Sequence, residues 1–193
     1  MPTTRTLAIV IFDEVEVLDF CGPFEVFSVA NRFTDPPAFR VFTVAETPGP
    51  VLTRGGLGVN PHHRLTDCPR PDLLLVPGGQ GTRREMHNDV LTEWIRQASE
   101  KAELVLSVCT GALLLAKAGL LDGLEATTHH GATDLLRQVA PKTTVHADRR
   151  FVDNGRVVCS AGIAAGIDMS LHVVSRLLGR EVAVKTARQM EYP

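Results

Sequence analysis

The residue with the clearest chemical potential is a cysteine placed between a predicted strand and a predicted helix. Residues 104–108 are mostly apolar and β-prone, which is typical of a strand buried on both faces. Cys109 and Thr110 follow, and Gly111 opens an Ala/Leu-rich helix that we expect to end near Gly119. Backbone amides and the positive helix end both favour a thiolate at such a turn. The stretch therefore predicts a cysteine nucleophile elbow.

A carboxyl group, Asp19, is the second candidate for chemistry. It closes a predicted loop over residues 13–19, after a buried strand over residues 6–12. Pro23 is suited to the first turn of a helix that we expect to reach Ala30. Asp19 is then either a helix cap or a carboxyl group that faces a site at the end of the sheet.

The third candidate is a glycine-rich turn over residues 77–81, directly after a predicted strand at residues 72–76. Glycines so close together indicate close backbone approach and unusual dihedrals. The turn lacks the Lys-Ser/Thr pair and the G-x-G-x-x-G pattern of phosphate-binding loops. We interpret the amides of Gly78 and Gly79 as donors beside Cys109 that hold a developing anion. A tight turn without that role is the alternative.

Strands and helices alternate along the chain, which predicts an α/β fold with a mostly parallel sheet and helices on both faces. Ligands of such sheets bind at the carboxyl ends of the strands, where Asp19, the glycine turn and Cys109 all fall. Two hairpins are also predicted, the second with its turn at Asn154-Gly155. The remaining predicted segments are strands at 39–45 and 125–130, hairpin strands at 51–53, 57–60, 150–152 and 156–160, and helices at 89–98, 134–139, 163–178 and 181–190.

Composition restricts the class of protein. A chain of 193 residues with 44% apolar and 22% charged residues is expected to form one domain over residues 1–193. The net charge of −2 gives no reason to expect nucleic-acid binding. No apolar run is long enough to span a bilayer, and the first residues lack a signal-peptide layout. We therefore expect a cytoplasmic protein without a membrane or nucleic-acid partner.

The cysteines and histidines do not predict a metal site. The four cysteines lie far apart, at Cys21, Cys68, Cys109 and Cys159. Without a Cys-x-x-Cys pair, a disulfide framework and a cysteine zinc site are both disfavoured. No acidic or cysteine residue is spaced to complete a ligand set with His62 and His63, so we expect a solvated loop and no metal. Cys21 either packs in the core or lines the pocket beside Asp19.

Several segments together resemble one known family. They are residues 17–27 (VLDFCGPFEVF), 76–79 (VPGG), 107–112 (SVCTGA), 126–129 (ATTH) and 160–168 (SAGIAAGID). In this order they resemble the ThiJ/PfpI superfamily, which is class I glutamine amidotransferase-like, and within it most strongly the isocyanide hydratase group. The resemblance implies a flavodoxin-like three-layer sandwich, a homodimer, and a small-molecule substrate handled without cofactor or metal.

The resemblance also implies a chemistry. Cys109 would attack the terminal carbon of an isocyanide, and water would convert the resulting thioimidate to an N-substituted formamide. Asp19 would move the protons, with its pKa raised by burial and by the neighbouring thiolate. Thr110 would orient Asp19 through its hydroxyl. The backbone at Gly78, Gly79 and Gly111 is expected to bind the substrate or an anion.

Two alternatives stay open. Protease-like and glyoxalase-like relatives carry Glu and His where this chain has Asp19 and Thr110. A different cysteine enzyme, acting on small carbonyl compounds or amides, is favoured if His129 contacts Cys109, so His129 is a possible pocket residue. The second alternative is a non-enzymatic redox protein or sensor related to the sensor half of AraC-type regulators, with Cys109 as an oxidisable thiol.

Overall fold

The computed structural model describes residues 4–193, and its elements alternate between strands and helices. The strands are β1 (Arg5–Val10), β2 (Phe39–Ala45), β3 (Val51–Leu52), β4 (Gly58–Val59), β5 (His63–Arg64), β6 (Leu73–Val76), β7 (Leu104–Val108), β8 (Glu125–Ala126), β9 (Thr144–Val145), β10 (Phe151–Asp153) and β11 (Val157–Ser160). The helices are α1 (Val17–Ala30), α2 (Thr82–Glu85), α3 (Asp89–Ser99), α4 (Gly111–Lys117), α5 (Thr133–Val139), α6 (Ala165–Leu178) and α7 (Arg180–Gln189).

The central sheet has the strand order β10-β11-β7-β6-β1-β2-β5, and only the edge strand β10 runs antiparallel to its neighbour. Helices α1, α6 and α7 pack together in one layer, and α3, α4 and α5 pack in another. The predicted α/β sandwich with a mostly parallel sheet is confirmed. The chain adds β2 on one side of β1 and then returns to add β6 on the other. A crevice for a ligand is expected at this reversal of strand order.

The middle of the sheet forms the hydrophobic core. Every residue of β6 and β7 is buried, and so are the last four residues of β1. Strands covered by helices on both faces read as continuous apolar runs in the sequence. That is why periodicity located these three strands correctly.

The predicted hairpins form as expected, while other short elements differ in detail. β3 and β4 pair antiparallel, and β10 and β11 do the same across Asn154 and Gly155. The predicted strand at residues 125–130 shrinks to β8, which pairs with β9 outside the main sheet. Along residues 4–193 no helix has the length and apolarity needed to cross a membrane. Residues 1–3, on which the signal-peptide expectation partly depends, lie outside the described residues.

Two helix boundaries differ from the prediction, and both differences affect the site. Helix α1 begins at Val17, so Asp19 lies in its first turn and not in a loop, and Pro23 lies inside the helix. Helix α6 begins at Ala165, because Ile163 has a left-handed backbone with φ of 53°. Propensity alone does not locate such boundaries, since contacts elsewhere in the fold stabilise them.

The start of α4 is pressed against the end of β6. A Cβ atom built on Gly111 would lie 2.0 Å from the Val76 carbonyl oxygen, which is too close for any other residue. Glycine therefore lets the helix that follows Cys109 begin directly over the neighbouring strand.

Gly111→Ala is expected to destabilise the protein by about 1–3 kcal/mol, because the added methyl group must displace backbone. The measurement is urea unfolding followed by circular dichroism. Gly55→Ala is the matched control, since a Cβ there meets nothing within 4 Å, and a change within about 0.5 kcal/mol is expected. Equal stability of the two variants would contradict this packing account.

Candidate active site

Cys109 lies in the sharp turn between β7 and α4, with a left-handed φ of 56°. Its backbone is held on both sides. The Cys109 N–H donates to the carbonyl oxygens of Ser160 and Ala161, each at 3.2 Å. Its own carbonyl accepts a 2.7 Å hydrogen bond from the Thr128 hydroxyl. These contacts stabilise a conformation that a residue with a side chain rarely adopts.

Asp19 reaches the same place from the first turn of α1, and its side chain is fully buried. Its Oδ2 atom accepts a 3.1 Å hydrogen bond from the Gly78 amide. The Cys109 thiol and the backbone of Ile163 also interact with the carboxyl group. Within residues 4–193, the second oxygen Oδ1 makes no close hydrogen bond. One carboxylate oxygen is therefore anchored, and the other is free to exchange a proton.

Burial raises the pKa of Asp19 to about 7, and the nearby charge of Glu16 acts in the same direction. The Cys109 thiol, the Gly78 amide and the Ile163 backbone oppose that rise but do not cancel it. The expected rise of the carboxyl pKa is confirmed, with burial as the largest cause. The expected contribution of a neighbouring thiolate is wrong, because Cys109 lowers the pKa of Asp19. A group with this pKa can both accept and release a proton near neutral pH.

The prediction of a thiolate at Cys109 is wrong for the resting protein. Burial and the negative charge of Asp19 raise the pKa of the Cys109 thiol to about 12, although the Thr110 amide lowers it. Cys109 is 5% exposed, so the loss of solvation outweighs the amide and the helix end. Asp19 and Cys109 thus form a coupled pair in which ionisation of one disfavours ionisation of the other.

Thr110 binds the glycine turn and does not bind Asp19. Its Oγ1 atom accepts a 3.0 Å hydrogen bond from the Gly79 amide and lies 3.1 Å from the Gly79 carbonyl oxygen. The buried Thr82 hydroxyl lies 3.0 Å from the same Oγ1 atom and 2.8 Å from the same carbonyl. The prediction that the Thr110 hydroxyl orients the carboxyl group is therefore wrong. Thr110 holds the glycine turn in position, and the Gly78 amide of that turn binds Asp19.

The expected anion-binding role of the glycines also needs correction. The Gly78 amide is taken by Asp19, and the Gly79 amide is taken by Thr110. A Cβ on Gly78 would lie 2.5 Å from the Thr110 nitrogen, so glycine is required by close approach. Gly111 likewise serves packing against β6. These glycines let three backbone segments meet, and their amides position the acid and the threonine.

The other two predicted pocket residues, His129 and Cys21, make no hydrogen bond to Asp19 or Cys109 within residues 4–193. His129 is half-buried, and its Nδ1 atom accepts a 3.1 Å hydrogen bond from the Gly131 amide. No hydrogen bond between His129 and Cys109 occurs in the described part of the chain. Cys21 packs against the core, and two residues apart on a helix it does not share a face with Asp19. Residues 4–193 contain no cluster of three or more His, Cys, Asp or Glu side chains arranged for a metal ion.

Two residues that contact the site, Thr82 and Ile163, were not predicted from the sequence. Thr82 is hidden in a four-residue helix, and Ile163 contributes backbone and not side chain. Nothing in the sequence around Thr82 indicates that this residue is buried at the site. The run Ala161-Gly162-Ile163 carried the resemblance, but it did not reveal a left-handed residue.

The model of the DJ-1/PfpI family matches residues 5–176. The chain belongs to the DJ-1/PfpI family. The predicted ThiJ/PfpI membership is thereby confirmed.

Relatives in this family have different activities. Isonitrile hydratase of Pseudomonas putida is 34% identical over 186 residues, which are 96% of this chain and 78% of that protein. The HTH-type transcriptional regulator CdhR of Pseudomonas aeruginosa is 32% identical over 90% of this chain, but the match spans only 51% of the regulator. The crystal structure of a THiJ/PfpI family protein from Pseudomonas syringae has a TM-score of 0.89 at 27% identity, covering 98% of this chain and 76% of that one.

The buried carboxyl group predicts a specific dependence of stability on pH. A pKa raised from 3.8 to about 7 means that folded Asp19 keeps a proton which the unfolded chain has already released. Stability from this group is full below about pH 4 and is lost as the pH rises to about 7. Asp19→Asn does not titrate, so its stability relative to wild type should increase over this range by up to about 4 kcal/mol.

The measurement is urea unfolding of both proteins at several pH values between about 4 and 8. Glu25→Gln is the control, because Glu25 lies on the same helix as Asp19 but is exposed. A stability difference between Asp19→Asn and wild type that stays constant with pH would contradict the raised pKa of Asp19.

Proposed function

We propose that the protein hydrates isocyanides to N-substituted formamides, with Cys109 as nucleophile and Asp19 as the group that moves protons. The observation that carries the proposal is the buried Asp19–Cys109 pair, in which a carboxyl group with a pKa of about 7 faces a thiol. The 34% identity with isonitrile hydratase supports the choice of substrate class. Thr110 and the Gly78-Gly79 turn act as positioning residues.

In the first step, the Asp19 carboxylate accepts the thiol proton as the sulfur attacks the terminal carbon of the isocyanide. A C–S bond forms, and the same proton passes from Asp19 to that carbon, giving a thioimidate, R–N=CH–S–Cys109. The S–H bond is thus added across one carbon atom, with no change in total charge. The high thiol pKa makes this transfer necessary, because the resting thiol is a poor nucleophile.

In the second step, Asp19 draws a proton from water as the water oxygen attacks the thioimidate carbon. The nitrogen gains a proton, and the C–S bond of the resulting tetrahedral intermediate breaks. The hydroxyl proton of the intermediate passes through Asp19 to the sulfur as the formamide leaves. The net reaction adds one water to the isocyanide. We propose that no cofactor takes part, since this hydration transfers no electrons.

Cys109→Ala is expected to lower formamide production from an aryl isocyanide by about 10³-fold or more, because the covalent intermediate cannot form. Asp19→Asn is expected to lower it by about 10²- to 10⁴-fold, since the proton carrier is lost. Formamide is measured by chromatography. Cys68→Ala is the matched control, because Cys68 is half-buried and hydrogen-bonds the Pro69 carbonyl oxygen away from the pair.

Full activity in Cys109→Ala would contradict the proposal. Consumption of methylglyoxal by the wild type, without formamide from any isocyanide, would support a different cysteine enzyme on this fold.

The pH profile of kcat/KM tests the protonation state of the pair. The reactive form carries one negative charge, shared between Asp19 and Cys109. Activity should therefore rise with pH through about 7 and then stay level, because the second proton leaves only near 12. Steady-state rates with the neutral aryl isocyanide provide the profile. An activity that already falls between neutral and mildly alkaline pH would contradict this assignment.

A sensor function is the second candidate, and one observation favours it. Cys109 is 5% exposed and keeps its proton at rest, which suits a site that binds a ligand without turning it over. The similarity to the regulator CdhR supports this candidate, and the match covers 51% of that regulator. A redox sensor is disfavoured by the same observation, because peroxide oxidises exposed thiolates. Calorimetric binding of an isocyanide without its turnover would favour a ligand sensor.

A further inference from the structure

We propose that Arg83 binds a carboxylate group on the substrate, so that the preferred isocyanide is an anionic one. This inference rests on the proposed function, because it names the substrate class for the same site. Arg83 lies on α2, directly after Thr82, at the glycine turn that follows β6.

The guanidinium of Arg83 contacts two residues that hold Thr110 in place. Its Nη1 atom donates to the Gly79 carbonyl oxygen and to the Thr82 hydroxyl, each at 3.3 Å. Both acceptors also contact the Thr110 hydroxyl, which follows Cys109 in the chain. The backbone and Thr82 thus fix the position of a positive charge at the glycine turn that binds Asp19.

Arg83 is not neutralised by an acidic side chain. Among residues 4–193 no carboxylate lies within ion-pair distance of its guanidinium, although the side chain is half-buried. The neighbouring Arg84 is different, since it pairs with Glu85 at 2.8 Å and with Glu14 at 3.6 Å. An arginine carries five N–H donors in a planar fork that matches a carboxylate. In Arg83 only Nη1 is engaged within the described residues, which leaves donors for a ligand.

The surroundings of Arg83 add positive charge. Burial lowers the pKa of His129, and the charges of Arg83 and Arg54 lower it further, which places two guanidinium groups near one half-buried ring. Glu16 is the opposing charge there, and Arg54 lies 3.7 Å from it. Because Glu16 pairs with Arg54, no acidic side chain within residues 4–193 balances the charge of Arg83. A carboxylate on the substrate would balance it.

The test compares 4-isocyanobenzoate with its methyl ester, which has similar shape but no charge. For wild type, kcat/KM is expected to be higher for the acid. Arg83→Gln should lower kcat/KM for the acid by about 10- to 100-fold more than for the ester, the range expected for a charge-assisted hydrogen bond. Arg84→Gln is the matched control, and it should leave the ratio of acid to ester unchanged.

A binding measurement separates this inference from the proposed function. Calorimetry with 4-formamidobenzoate needs no turnover, and its affinity should fall in Arg83→Gln but not in Arg84→Gln. If no isocyanide is hydrated but this dependence holds, the anion site stands and the proposed reaction fails. If both isocyanides are hydrated equally and Arg83→Gln affects them equally, the reaction stands and the anion site is wrong.

Discussion

The arrangement depends on one interaction, the burial of the Asp19 carboxyl group against the Cys109 thiol. Each group loses solvation, and the negative charge of Asp19 raises the pKa of the Cys109 thiol further. Asp19 and Cys109 therefore keep their protons to a higher pH than exposed side chains of the same types. A buried carboxyl group with a pKa of about 7 beside a protonated thiol is costly for folding, and such perturbed groups cluster at functional sites.

The rest of the site keeps this unfavourable pair in place. Cys109 and Ile163 both have left-handed backbones, a conformation that costs on the order of 1–3 kcal/mol at a residue with a side chain. Hydrogen bonds from Cys109 to β11 and from Thr128 to Cys109 offset part of that cost. The Gly78 amide anchors the acid. Local strain and buried charge are thus maintained by contacts from several separate segments.

The sheet topology explains why these segments meet. Asp19 follows β1, the glycine turn follows β6, and Cys109 follows β7, and these three strands are neighbours. Their parallel order brings all three carboxyl ends to one edge, next to the point where strand order reverses. The same core occurs in an isonitrile hydratase and in a transcriptional regulator. The core alone therefore does not determine the function.

The sequence by itself determined the buried strands, their alternation with helices, and the position of Cys109 between β7 and α4. Those features are encoded locally, in apolar runs and in residues that begin helices. Only the tertiary structure decided that Asp19 lies within α1, that the Gly78 and Gly79 amides are already occupied, and that Cys109 stays protonated. A hydrogen-bond partner and a pKa are sums over neighbours distant in sequence, and no local pattern contains those neighbours.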